Sequence, residues 1–182
     1  MEWMSQQVNV LLNVSKSLVP VEQLITGAAY LMGLLFAFKA IYSLKIYGEA
    51  RTMMSSSASL KEPMTYFLVA GMLIYFPTAF EIFMNTMFGY SNILAYAPVQ
   101  SGSPLINAMF GSESQVGGPF ALVIQVVGLA AFVRGWVLIA RAASHGQSPG
   151  GTGKGLMHVF GGVLAINIVG TLEVINNTLF GT

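Results

Sequence analysis

Four apolar runs alternate with polar connections along the chain, at about residues 24–44, 64–88, 119–140 and 156–180. Each approaches the ~20 residues that carry an α-helix across a bilayer. A helix satisfies its own backbone hydrogen bonds, so it is the form expected where no water reaches. Ahead of these runs, Met4, Val8, Leu11, Val14 and Leu18 recur at helical spacing, and Glu2, Gln6, Asn9, Asn13 and Lys16 fall mostly elsewhere on the wheel. That pattern predicts a short amphipathic helix ended by Pro20, lying in a membrane interface or against the other helices. The N-terminus does not read as a signal peptide. Glu2 stands where a basic residue is wanted, and Asn13, Lys16 and Ser17 interrupt the apolar run that would follow.

The expected fold class is therefore an all-α membrane protein, with four transmembrane helices as two tandem hairpins plus an N-terminal amphipathic helix. The expected parts are residues 1–20, a first hairpin over 21–89, a connection over 90–118 and a second hairpin over 119–182.

The hairpins repeat each other. Gly33-Leu34 with Lys39 returns 95 residues later as Gly128-Leu129 with Arg134. The stretch 81–89 returns 92 residues later as 173–181, with Glu, Asn, Thr, Phe and Gly kept at five of nine positions. Doubling of a two-helix unit leaves such a trace. A repeated unit without catalytic residues points to a packing part.

Composition narrows the class further. Charged residues make up 8% of the chain and hydrophobic ones 54%, with mean hydropathy +0.68. A soluble domain carries roughly 25% charged residues. The net charge of +1 offers no field to attract nucleic acid. Aspartate and cysteine are absent, which excludes disulfides and thiolate metal sites.

The cations are placed unevenly. Lys39, Lys45, Arg51, Lys61, Arg134, Arg141 and Lys154 sit late in the first and third runs or in the polar turns that follow, and only Lys16 stands apart. The positive-inside rule then puts both turns in the cytoplasm, with the middle connection and both termini in the periplasm of a bacterial cell. A hairpin crosses twice, so tandem copies share one orientation, and the repeat agrees with the charge bias.

Lys39, Arg134, Glu81 and Glu173 are expected inside the apolar layer or near its borders. Either they snorkel to the headgroups, or they meet a neighbouring helix, a subunit or a water-filled lumen. Glutamate is shorter, so Glu81 and Glu173 are expected to make polar contacts, with Asn85 and Asn177 one turn on as partners. Ala29/Gly33/Ala37, Ala131/Gly135 and Gly161/Ala165 form small-residue stripes at four-residue steps, and the Gly128 and Gly161-Gly162 regions should permit close packing. Pro77 should kink the second run by removing the hydrogen bond to the Leu73 carbonyl. Its repeat counterpart is Val169, a divergence between the copies.

Other motifs fail. Residues 150–155, Gly-Gly-Thr-Gly-Lys-Gly, lack the first glycine and the final Ser or Thr of a phosphate-binding loop, since Ser148 and Gly155 stand there. His145 and His158 have no cysteine or aspartate to join them at a metal, and His158 is expected to cap a helix start. No serine has an acid–base pair in a recognisable pattern. No catalytic, metal or cofactor-binding residue is assigned. The eleven methionines read as adaptable packing, and Trp3 and Trp136 suit interfaces or helix contacts.

The sequence from Gly150 to Thr171, GGTGKGLMHVFGGVLAINIVGT, resembles the IcmC/DotE family and related TraQ-type conjugation proteins. These are small inner-membrane components of type IVB secretion and conjugation systems. The 128–141 stretch and the four-run plan agree with that resemblance. Each half also resembles, more loosely, the two-helix conjugative pilins of the VirB2 type, although the duplication departs from them. The resemblance implies a non-enzymatic subunit of such an apparatus, with a pilin-like, polymerised subunit as a variant of that reading. Its expected partners are lipid, including a bound phospholipid, further copies of itself and other membrane subunits. The competing expectation is a small ion or solute channel acting through the intramembrane Lys, Arg and Glu.

Overall fold

In the computed structural model the described residues are 2–53, 59–89, 103–111, 114, 116–144 and 150–180. Most of them are helical, and no strand occurs among them. The chain runs through α1 (Glu2–Thr52), α2 (Lys61–Ile74), α3 (Phe76–Phe88), α4 (Pro104–Phe110), α5 (Gly117–Ala143), α6 (Gly151–Ile166) and α7 (Ile168–Phe180). Among the described residues two helices, α1 from Val8 onward and α5, are long and apolar enough to cross a membrane, and the number rises to four if each bent pair counts as one span.

The separate N-terminal helix is overturned. Residues 2–52 form one 51-residue helix with Pro20 inside it, about 76 Å long at ~1.5 Å per residue. Proline deprives only the Lys16 carbonyl of its partner, and both residues are exposed, so that carbonyl is open to water or headgroups. Helix-forming residues on both sides carry the ladder past a single gap, as in many membrane helices. The Ser17 hydroxyl donates to the Asn13 carbonyl at 2.9 Å beside the gap.

α1 and α2 form one antiparallel hairpin, and α5 and α6 the other. Their seams show why. A Cβ on Gly128 would lie 2.8 Å from the Gly162 carbonyl oxygen, and one on Gly162 would lie 2.8 Å from that of Gly128. Gly135 and Gly155 stand in the same reciprocal relation, again at 2.8 Å. Glycines two turns apart on each helix therefore form two facing pairs, and the backbones touch there. The repeat offsets map these four positions onto Gly33, Ala40, Pro63 and Ala70 of the first hairpin, and all four are buried. Gly33 lies against Ile74, as its counterpart Gly128 lies against Ile166.

The facing glycines are thus seven residues apart, whereas of the expected four-residue steps only Ala29 to Gly33 has both members buried. Ala29, Gly33 and Ala40 are buried while Ala37 is half-buried, and Gly135 is buried while Ala131 is half-buried. Gly162 packs, but Gly161 faces open space.

The hairpins lie side by side and point the same way. Lys61, Met64, Thr65 and Leu68 at the start of α2 share a cavity with Ile139 and Ala143 at the end of α5 and Thr152 of α6. At the other end of α2, Phe76, Phe80 and Phe83 set their rings 5.7–5.9 Å from Phe132 of α5, edge-on, and Trp136 adds a fourth ring at 6.1 Å. The starts of α2 and α6 and the end of α5 therefore lie together at one end, and α1 runs parallel to α5.

Alanine has a helix propensity about 1 kcal/mol better than glycine, so the neighbours Gly161 and Gly162 should respond to it with opposite signs. Gly161→Ala should leave thermal stability in detergent unchanged or slightly raised. Gly162→Ala should cost about 1–3 kcal/mol by forcing α5 and α6 apart. Equal responses would show that the seam lies elsewhere.

Candidate functional site: two elbows and a cationic groove

The bends are the least expected feature. α2 and α3 meet at 89°, α6 and α7 at 90°. The residues at the breaks are Tyr75 and Asn167, which the repeat offset of 92 places at equivalent positions. Each follows directly on the isoleucine that packs against Gly33 or Gly128. A doubled unit has kept its elbow.

The chemistry of the elbow differs between copies. In the first, Pro77 stands in the first turn of α3, where the bend leaves backbone N–H groups without helical acceptors. Proline has no N–H there to lose. In the second, the Asn167 side-chain oxygen accepts from the Gly170 N–H at 3.1 Å, as an N-cap does. The Thr171 hydroxyl donates across the bend to the Leu164 carbonyl at 2.8 Å, replacing the N–H that the bend withdraws. The expected divergence at Val169 is therefore a change of chemistry, and both runs bend. The informative signal was Asn167, a polar residue in the middle of an apolar run.

The elbows alter the setting of the acidic residues. Glu81 and Glu173 lie on α3 and α7, turned sideways, so they are not farther along the axes of α2 and α6. Both are exposed, as are Asn85 and Asn177. No hydrogen bond or ion pair joins either glutamate to its asparagine among the described residues. On α7 the buried polar side chain is Asn176, 1% exposed, at the position of the fully buried Met84 in the first copy. Asn177, the residue expected to make polar contacts, is its exposed neighbour.

The cations separate as well. Lys39 is exposed, yet its Nζ lies 4.5 Å over the ring of Tyr66. The Tyr66 hydroxyl donates to Glu62 Oε1 at 3.2 Å, and Phe36 stacks on the same ring. Lys39 thus has a helix partner through its cation–π contact. Its counterparts of Tyr66 and Glu62 in the second copy are His158 and Lys154, so the arrangement is not repeated. His158 lies two turns inside α6, where its Nδ1 is 2.8 Å from the Lys154 carbonyl oxygen, and it caps no helix start.

Arg134 and Arg141 line a groove of about 430 Å³ between α1 and α5. Its walls are apolar, from Ile25, Ala28 and Met32 on one side and Val133, Val137 and Leu138 on the other. Among the described residues no carboxylate lines it. At the charged end of the bundle, Lys45 pairs with Glu49 at 3.7 Å, both exposed, and Arg51, Lys61 and Lys154 are exposed too. Trp136 is a helix contact, buried with its Nε1 unpartnered. Among the described residues no three of His, Cys, Asp or Glu come together as a metal would require.

Comparison with protein-family models, with curated proteins and with solved structures gives no match.

Removing the second elbow's cap should loosen it. With spin labels on cysteines introduced at the exposed Met157 and Leu179, Asn167→Ala should broaden the interlabel distance distribution and cost about 1 kcal/mol. Asn167→Ser, which keeps a capping oxygen, should restore the narrow distribution. An unchanged distribution in Asn167→Ala would mean that the bend is held without this cap.

Proposed function

We propose that this chain is a non-enzymatic structural subunit of a bacterial inner-membrane translocation apparatus of the type IVB secretion and conjugation class. Its two bent hairpins act as four membrane passes with both termini in the periplasm. The observation that carries this reading is the tandem architecture: two like-oriented hairpins, sealed by glycine and alanine, with their basic turns at one end. Such a unit gives shape and a cationic cytoplasmic rim. The resemblance of residues 150–171 to the IcmC/DotE family supplies the class of apparatus.

The same reading gives the Arg134–Arg141 groove to a phospholipid. An acyl chain fits the apolar walls, and the guanidinium groups face an anionic headgroup. Lys39 holds depth through Tyr66. Glu81 and Glu173, with Asn85 and Asn177, remain free on exposed faces for neighbouring subunits.

The cysteine-free chain makes orientation measurable. With single cysteines at Ser57, Ser101 and Ser148, an impermeant thiol reagent on intact cells should label Ser101→Cys alone; labelling at the other two would reverse the topology. Deletion of the chain from a host with such a system should abolish cargo transfer, and affinity capture from cross-linked membranes should bring down other subunits of the apparatus. Normal transfer after deletion, or solute flux through liposomes containing the chain alone, would refute the proposal.

A further inference from the structure

The internal repeat contains an interface with one half used inside the chain and the other half left open at both ends. The first hairpin packs on α5 of the second. Ile25 and Met32 of α1 line the groove with α5, Val69 and Leu73 of α2 belong to the core cluster that holds Leu129, Phe132, Val133 and Trp136, and the three phenylalanines of α3 surround Phe132. On α5, Leu129, Val133 and Trp136 belong to that cluster and Val126 lies one turn before Leu129 on the same side of the helix, each between 5 and 7% exposed.

The repeat offset of 95 maps those four residues onto Leu31, Leu34, Phe38 and Ile41 of α1. These are large and apolar too, yet they are exposed, from 48% at Leu34 to 69% at Phe38. The receiving face therefore exists twice, and the copy on α1 is uncovered. The contributing face also exists twice. Phe76, Phe80 and Phe83 map by the offset of 92 onto Ile168, Leu172 and Ile175, and Ile175 is exposed. Val69 and Leu73 map onto Gly161 and Ala165. Gly161 meets nothing within 4 Å, so this smooth stretch stands ready for a neighbour's side chains.

We infer that a second copy of this chain docks head to tail, its α1 face of Leu31, Leu34, Phe38 and Ile41 seated on the α6–α7 face of the first through Gly161, Ala165, Leu172 and Ile175. The contact reproduces between molecules the relation that the first hairpin holds to the second within one. The interface uses two different faces, so each added copy leaves one of each open. Because the hairpins share one orientation, the operation keeps every copy upright in the bilayer. The product is a ring if the rotation closes, or a helical filament if an axial shift accumulates. This deepens the proposed structural role by naming the surfaces through which copies assemble.

The test uses pairs of cysteines. Phe83 lies against Phe132 within the chain, and the equivalent intermolecular pair is Ile175 with Ala37 of the next copy. Ala37→Cys and Ile175→Cys chains, carrying different tags, are co-expressed and treated in membranes with a short bismaleimide. A Phe83→Cys/Phe132→Cys chain serves as the intrachain control for folding and reagent access. Cross-linked heterodimers, absent when either variant is expressed alone, and a ladder of higher species from the doubly substituted chain are expected. Self-cross-linking of the single variants, or no heterodimer while the intrachain control reacts, overturns the interface in favour of a two-fold dimer or a lipid coat. Failure here with transfer still lost on deletion leaves the structural role standing and removes only this contact.

Discussion

Two helices can touch backbone to backbone only where neither has a side chain in the way, and the α5–α6 seam depends on that condition. Water is absent from the bilayer core, so burying apolar surface between helices gains little over leaving it in lipid. Close approach replaces that driving force with dispersion contacts and, at glycine, with weak Cα–H···O contacts to the facing carbonyl. The pairs Gly128–Gly162 and Gly135–Gly155 meet it two turns apart. The register they set brings Ile166 against Gly128 and places the elbow at the next residue. In the first hairpin Gly33, Ala40, Pro63 and Ala70 serve the same positions with more bulk, and α3 then folds across to Phe132.

Much of this plan can be read from the chain. The four apolar runs mark where helices lie, because a run of that length and polarity has few other stable forms. The repeat offsets of 95 and 92 also hold in three dimensions, at the seams and at the elbows. What escaped was direction. Steps of four and of seven both stay close to one helix face, so small residues alone do not say which of Gly161 and Gly162 meets a partner. Only the facing helix decides that. Pro20 and Pro77 show the same ambiguity: one sits within a continuous helix and the other beside a right-angled break. Pro77 has in Asn167 and Thr171 a second solution to the same geometry, and none of these residues is diagnostic by itself.

The polar side chains follow from the bends. Residues beyond Tyr75 and Asn167 turn away from the axis that their sequence position suggested, which takes Glu81 and Glu173 off the line of α2 and α6. Lys39, in contrast, lies on the straight part of α1, and its aromatic partner Tyr66 comes from the antiparallel neighbour. A charge on a continuous helix can be placed by counting residues, whereas one beyond an elbow cannot.

The aromatic cluster around Phe132 also constrains biogenesis. Translation delivers α1, α2 and α3 before α5 exists, so Phe76, Phe80 and Phe83 must wait in lipid or against an insertion factor until Phe132 emerges. The tighter glycine-lined hairpin is made last and arrives beside a half that is already inserted. A nascent chain halted before residue 132 would therefore display three unsheltered rings on one helix.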